Sequence, residues 1–484
     1  MKRKKFYVTT AIDYVNAEPH IGHAYQKIVA DVLARFYRLK GYDVFFLTGT
    51  DEHGKKIEDA AKKNGKSSKK FVDEISEKFK ESWKALNIDY NRFIRTTDKD
   101  HEKIVKDIIN KIYEEGDIYL GKYEGYYCVG CEAYYTEKDL VEGCCSIHKT
   151  KIERLKEESY FFKLSKYKDF LLELYKKNPN FILPVSRKKE VVNRIKDGLK
   201  DLSISRTSFK WGIEFPFDKK HITYVWFEAL INYYTATRTK GKEKFWPADL
   251  HLLGKDNTWF HSVYWPAILK SAGISIPKST FNHGFLTFNG QKISKSLGNV
   301  ISPIILEKKY GADSIRYFSL RNFPFASGED GDFSEKALTD RHNNELADKL
   351  GNLISRVSVL IEKNGMQKVE NRLVKKLNVK KIENLIKSYQ FDKALNEIFA
   401  FIDVCNEYVQ NKKPWETKDK KVLYELADSI KVISILLWPF IPTTSEKIAK
   451  QFKFKVGKNC FDEIKKPLKI SKIKKGDILF KKIK

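Results

Sequence analysis

Three short stretches of this sequence carry residue types and spacings that can do chemistry. The first is His20-Ile21-Gly22-His23, within VNAEPHIGHAYQ. Histidines three apart at a helix start can share a metal ion if a third ligand, such as Asp51 or His53, comes from the next strand end. They can equally donate hydrogen bonds to phosphate, beside the free N–H groups and positive dipole end of the helix. Gly22 has no side chain, so a flat group such as a purine can approach the backbone. Alone, the tetrapeptide is as compatible with a solvated surface. The second stretch is KISKSLGN, with Lys292 and Lys295 three apart on a short polar loop. Two lysines so placed can close over a triphosphate and neutralise charge moving onto a leaving pyrophosphate. The third is Cys128, Cys131, Cys145 and His148, spaced C-x2-C-x13-C-x2-H. Two such knuckles converge on one ion, and four S/N ligands fit a closed tetrahedral Zn²⁺, one per chain, with no open position for water and hence a structural role. Cys144 lacks the spacing to His148; Cys405 and Cys460 stand alone and read as small apolar core residues.

Two other matches fail on inspection. Asn64 to Ser68, NGKSS, contains the Gly-Lys-Ser of a phosphate loop, but Ala60 stands where the loop needs glycine. His101 opens HEKIV like a zinc-protease helix, yet Val105 replaces the second histidine.

These groups must be positioned by a larger frame. The strand at 6–10 (FYVTT) is followed by apolar residues at helical spacing: Tyr25, Ile28, Val29, Val32, Leu33, Phe36 and Leu39, with a stop at Gly41. VFFLTGTDEHG then reads as a second strand running into a polar turn at Asp51. Strand, helix, strand is a βαβ unit, which requires a parallel sheet covered by helices. The rhythm breaks over 116–215 and then resumes. ITYVWF and LHLLG read as strands, 257–272 as a helix, and Asn289-Gly290 as a hairpin turn. From 346 the pattern is helical, with Leu346, Leu350, Leu353, Ile354, Val357 and Leu360 on one face. The tail, IKKPLKISKIKKGDILFKKIK, reads as a solvated basic end.

The 484 residues suffice for several domains, and at 42% hydrophobic disorder is excluded. With 91 basic against 63 acidic residues the net charge is +28, a field that steers polyanions to the surface and favours nucleic acid or phosphorylated substrates. The positive charge is mostly lysine spread along the chain, as compositional bias would also produce. Neither a signal peptide nor a membrane-spanning window is found, so a soluble, cytoplasmic protein without membrane contact is expected.

The order of the histidine helix start, half-sheet, insertion, second half-sheet and lysine loop resembles the class I aminoacyl-tRNA synthetases, whose signatures appear here as HIGH and KISKS. Within that class the chain resembles methionyl-tRNA synthetases of the bacterial type with a single zinc knuckle. The stretches that carry this resemblance include YVNAEPHIGHAY, FFLTGTDEHG, YCVGCEAYYTEKDLVEG, DLSISR, YVWFEALINYY, GKDNTWFHSVYWPAIL, LADKLGNLISR and NKKPWE. The resemblance implies an α/β fold: a Rossmann-type parallel-sheet catalytic domain in two halves (1–115 and 216–290) around a zinc-binding connective insertion (116–215). A stem-contact segment with the lysine loop (291–345) and an all-α helix-bundle anticodon-binding domain with a basic tail (346–484) follow.

It also implies roles. His20, His23, Lys292 and Lys295 act in catalysis and, with Gly22, Gly254 and Asp256, bind ATP, which Mg²⁺ accompanies. Asp51 pairs with the substrate ammonium group and Arg206 lies near the amino-acid and phosphate site. Tyr14, Trp226, Ala229, Tyr233, His261 and Trp265 match the methionine pocket, where aromatic walls suit a polarizable thioether. Asn352, Arg356, Pro414 and Trp415 match the group that reads the anticodon of tRNA(Met), initiator and elongator, with Trp415 a stacking platform. Asp13 stands where relatives usually carry proline or an aromatic, Asn257 where they carry an aliphatic residue; both bear on fine pocket geometry. Ile293 replaces the usual methionine of the lysine loop. The C-terminal dimerisation module of some relatives has no counterpart, so a monomer is expected.

The competing readings are a synthetase for Cys, Leu, Ile or Val, a non-catalytic zinc or tRNA-binding protein, and a metallohydrolase using His20 and His23. An insertion of roughly 100 residues is too short for the editing domain of the Ile, Val and Leu enzymes. The Cys enzyme would place zinc ligands in the amino-acid pocket, where no cysteine is found.

Overall fold

The computed structural model describes residues 3–128, 133–135, 140–145, 151–288, 290–293 and 300–483. Its centre is a seven-stranded sheet built from β1 (Lys5–Thr10), β2 (Asp13–Tyr14), β3 (Asp43–Asp51), β4 (Arg92–Arg95), β5 (Ile182–Leu183), β6 (Leu250–Gly254) and β7 (Thr280–His283). The order is β5-β7-β6-β1-β3-β2, with β4 also beside β3, and every pairing is parallel. The two halves of the sheet meet where Val8, Thr9 and Thr10 pair with Leu250, His251 and Leu252. A parallel sheet is covered on both faces, and the alternation of β1 and β3 shows it. Phe6, Val8, Val44 and Phe46 enter one core, with helix α1 (Ile21–Leu39). Tyr7, Phe45 and Leu47 enter the other, with the helix Lys99–Glu114.

The region expected to be an insertion forms its own antiparallel sheet, in which Ile118–Cys128 runs against Glu153–Phe162. It also lends β5 to the edge of the central sheet, where Ile182 and Leu183 pair with Thr280 and Phe281. The hairpin expected at Asn289-Gly290 pairs Thr287 with Lys292 and Phe288 with Gln291, and Gly290 takes φ 72°; Asn289 lies outside the described residues.

Two expectations are corrected. ITYVWF is not one strand: a strand ends at Thr223 and a five-residue helix, Val225–Ala229, begins after it. A continuous apolar run has no period with which to separate a buried strand from a buried helix. The basic tail is not a solvated end. Leu468 and Ile473 are buried in the helical domain, Tyr424 donates to the Leu468 carbonyl at 2.9 Å, and His342 bonds the Lys481 carbonyl at 2.8 Å. Apolar residues spaced among the lysines supply that packing while the ammonium groups stay in water.

Helices Asn352–Asn364, Phe391–Lys412 and Lys420–Leu437 form the core of the helical domain, with Leu353, Ile354 and Val357 buried as the sequence pattern requires. One buried cation ties this domain to α1. Arg316 pairs with Asp31 at 2.6 Å and donates to the carbonyls of Pro439 and Phe440, each at 2.9 Å.

Candidate active site

The carboxyl ends of β1, β3, β6 and β7 surround a cavity of about 520 Å³, the position where open parallel sheets bind ligands. Its lining contains His20, Gly22 and His23 from the start of α1, Tyr14 and Asp51 from the paired ends of β2 and β3, Gly254 at the end of β6 and Asp256 just after it. Trp226, Ala229, Tyr233 and His261 close it on the side of the second half-sheet. These residues, far apart in the chain, are brought together as expected.

The two histidines build the helix start. The Gly22 N–H donates to His20 Nδ1 at 3.1 Å, and the His20 N–H donates to His23 Nδ1 at 3.2 Å, a reciprocal capping box. In a neutral imidazole whose Nδ1 accepts, the proton resides on Nε2. Burial, with His20 and Lys27 beside it, holds the His23 pKa well below its usual value, so this ring is neutral at pH 7. A Cβ at position 22 would lie 2.9 Å from the His20 ring. Gly22 is therefore needed for the cap itself, a reason the sequence did not disclose.

On the opposite wall, Tyr233 Oη and His261 Nε2 are 2.7 Å apart, and His261 Nδ1 lies 3.0 Å from the Asn257 carbonyl. Only a donor N–H can face that carbonyl, so Nε2 accepts and the tyrosine hydroxyl donates. Burial pushes His261 down to about 4, which keeps the ring neutral. Trp226 stacks on Phe260 with centroids 3.8 Å apart.

The site also contains groups not anticipated as such. Lys27, without exposed surface, pairs with Asp13 at 2.5 Å and donates to the Ala11 carbonyl at 3.2 Å. Burial nevertheless pushes the Asp13 carboxyl up to about 6. Gln26 and His283 bond at 3.1 Å, and Lys56 stands 5.7 Å from the Tyr14 ring centre. Asp13, Gln26, Lys56, Phe260, His283, Phe285 and Ile293 all line the cavity. A polar residue four positions after His23 was the available sign of Lys27, since residues four apart share a helix face.

Two expected residues are not brought to the cavity. Trp265 lies behind its wall, in contact with Tyr233 and 3.3 Å from His251 through its indole N–H. Arg206, fully buried, donates to Ser203 Oγ at 3.0 Å and to the Ser205 carbonyl at 2.6 Å, over the Tyr224 ring. Lys295 and the side chain of Lys292 lie outside the described residues; their neighbour Ile293 reaches the cavity.

Of the zinc set, Cys131 and His148 lie outside the described residues. Cys128 and Cys145 are buried and not in disulfides. Among the described residues no group of three His, Cys, Asp or Glu is placed so that it could hold a metal ion. Cys405 is buried as expected, and Cys460 half-buried. In the helical domain, the Arg356 guanidinium stands 5.5 Å from the Trp415 ring centre. Asn352 is exposed one turn from Arg356, and Trp415 is 39% exposed beside buried Pro414. Among the described residues, no helix is long and apolar enough to cross a membrane.

Comparison with known proteins agrees with this geometry. The family model "tRNA synthetases class I (M)" matches residues 6–154 and 130–358, and "Anticodon-binding domain of tRNA ligase" matches 370–478. The methionine–tRNA ligase of Caldanaerobacter subterraneus subsp. tengcongensis is 46% identical, over 99% of this chain and 79% of its own length. That of Rickettsia conorii is 44% identical, over 92% of each. The structure of Mycobacterium tuberculosis methionyl-tRNA synthetase with methionyl-adenylate superposes with a TM-score of 0.94 at 38% identity, covering 99% of both chains. The apo form of that enzyme gives 0.86 at 35% identity, covering 100% of this chain and 99% of the other. With signature histidines, cavity and helical domain arranged on this sheet, and with relatives matched along nearly the whole chain, the protein belongs to the methionine-type class I aminoacyl-tRNA synthetases.

Proposed function

We propose that this chain is a methionine–tRNA ligase, which joins L-methionine to AMP at the expense of ATP and then transfers methionine to the 3′ end of tRNA(Met). The observation that carries the reading is the cavity at the strand ends, which brings His20, His23, Asp51 and the aromatic wall together in a chain 46% identical to a methionine–tRNA ligase.

In the first step a carboxylate oxygen of methionine attacks the α-phosphorus, the bond to the bridging oxygen of the β-phosphate breaks, and pyrophosphate leaves. The attacking carboxylate is already ionised, so no general base is required, and catalysis is positioning and charge stabilisation. Asp51 takes the ammonium group, while Tyr14, Trp226, Ala229, Tyr233 and His261 surround the side chain. The Nε2–H groups of His20 and His23 meet the phosphates; Gly22 underlies the adenine, and Gly254 and Asp256 face the ribose. Lys292 and Lys295 stabilise charge on the departing pyrophosphate. Mg²⁺ bound with ATP would offset phosphate charge. In the second step a hydroxyl of the tRNA 3′-terminal ribose attacks the methionyl carbonyl carbon and AMP leaves. Arg206 and Trp265 support the site from behind.

Asn352, Arg356, Pro414 and Trp415 read the anticodon, with an unstacked base on Trp415. Cys128, Cys131, Cys145 and His148 would hold one structural Zn²⁺, which would tie together the hairpins of the inserted region. The enzyme acts as a cytoplasmic monomer.

Methionine-dependent exchange of pyrophosphate into ATP tests the reading. Exchange with methionine is expected; exchange with Cys or Leu instead would overturn the substrate. No exchange with any amino acid would favour a non-catalytic tRNA-binding protein. His20→Ala and His23→Ala should abolish exchange and leave zinc content unchanged, whereas loss of the metal would move it to these histidines.

A further inference from the structure

Behind the cavity wall lies a buried carboxylate that the reaction does not use. Glu228 has no exposed surface, and each of its oxygens meets an imidazole: His53 Nδ1 at 2.8 Å and His101 Nε2 at 3.0 Å. His101 Nδ1 in turn lies 3.2 Å from Thr235 Oγ1. Burial pushes the Glu228 carboxyl up, but the two imidazoles outweigh it and hold the pKa below the usual carboxylate value. The ionised carboxylate accepts one N–H from each ring.

Each partner belongs to a different wall of the cavity. His53 follows Asp51 by two residues at the end of β3, and its ring packs edge-on against Trp211. Trp211 donates to the Glu52 carbonyl at 2.6 Å and so fixes the turn itself. Glu228 lies between Trp226 and Ala229 on the helix Val225–Ala229, and both of those neighbours line the cavity. Thr235 ends the helix Asn232–Thr235, which carries Tyr233. Helices of one turn do not hold their own shape in water, so their placement must come from tertiary contacts.

We infer that Glu228, clamped by His53 and His101, is a positioning residue that sets the distance between Asp51 and the walls that take the methionine side chain. This rests on the reading of the cavity as the methionine site. The clamp touches no substrate; it acts through the three segments it joins, so it should govern methionine binding and leave ATP binding alone.

Glu228→Gln keeps the shape but offers only one acceptor oxygen to two N–H donors. His101→Leu removes one arm, and His101→Gln replaces Nε2–H with an amide N–H in a similar position. Steady-state exchange is measured with each, after active sites are titrated. The expected result is a KM for methionine raised about tenfold in Glu228→Gln and His101→Leu, a KM for ATP within about twofold of wild type, and recovery in His101→Gln. Should Glu228→Gln fail to fold, the His101 pair carries the same test. A lower melting temperature or active fraction with an unchanged methionine KM would reduce the clamp to a structural contact and overturn the inference. Absence of methionine-dependent exchange in the wild type would remove the methionine reading, and the clamp with it.

Discussion

His20 and His23 each spend Nδ1 on a backbone N–H at the start of α1, so the groups that face the cavity are the Nε2–H donors of neutral rings. One side chain thus caps the helix and keeps its Nε2–H for the proposed phosphate contact. Sequence spacing suggested a donor and concealed the cap, because Ser, Thr, Asp and Asn are the usual capping residues. Asp13 was legible only as a departure from the family pattern; its buried partner Lys27 was marked only by its place four positions after His23, a weak sign among so many lysines. The pair has a testable pH signature. Burial raises the Asp13 carboxyl from an ordinary value of 3.8 to about 6, so the native protein binds this proton more tightly than the unfolded chain. Such a group contributes stability that is complete below the unfolded value and is lost as pH rises through about 6. Asp13→Asn lacks this titration. Between about pH 4 and pH 7, wild type should lose roughly 1–3 kcal/mol relative to the variant, read from urea unfolding at each pH. Parallel curves for the two proteins would show that Asp13 ionises normally in the fold.

Among the elements, α1 was the most legible, since seven apolar residues at helical spacing all pack into or against the core. The strand pairs around it were equally plain. The helix at Val225–Ala229 was not, because an uninterrupted apolar run fits a buried strand or a buried helix alike. The tail was misread for the opposite reason: its lysines outweighed the few apolar residues that dock it. The side chain of Lys292, Lys295 and half of the zinc set lie outside the described residues, so for these the sequence remains the source. A prediction belongs to the start of α1. Gly22→Ala would put a methyl group 2.9 Å from His20 Nδ1 and Cε1, and the ring must leave its capping position. Loss of a cap costs about 1 kcal/mol of stability. The displaced ring would also lose its aim at the phosphates, so the KM for ATP should rise at least about tenfold with the methionine KM little changed. An equal rise in both constants would mean that the substitution collapses the whole cavity.

Across the whole molecule, the cavity and the Arg356–Trp415 face belong to separate regions of the chain, and α1 is packed between the sheet and the helical domain. Its middle turn meets Arg316 through Asp31, which also binds Arg35 at 2.7 Å. Arg316 donates to the carbonyls of Pro439 and Phe440, in the turn that follows the helix Lys420–Leu437. A guanidinium without exposed surface thus joins the helix that starts at the cavity to the domain matched by the anticodon-binding family. No local pattern discloses such a hub, because its members are far apart in sequence and each looks like a surface charge. Removing one partner of a buried pair costs up to about 3–5 kcal/mol when the other is left uncompensated, and less here because Arg35 still pairs with Asp31. In Arg316→Met the two backbone carbonyls lose their donors as well, and the side chain that bridged the domains is gone. The expected outcome is unfolding in guanidinium that begins earlier and separates into two steps, the helical domain first. Methionine-dependent exchange, which needs only the cavity, should fall by less than about threefold, while tRNA charging, which needs both regions in register, should fall further. A single transition at the wild-type midpoint would show that the remaining interface holds the domains without this cation.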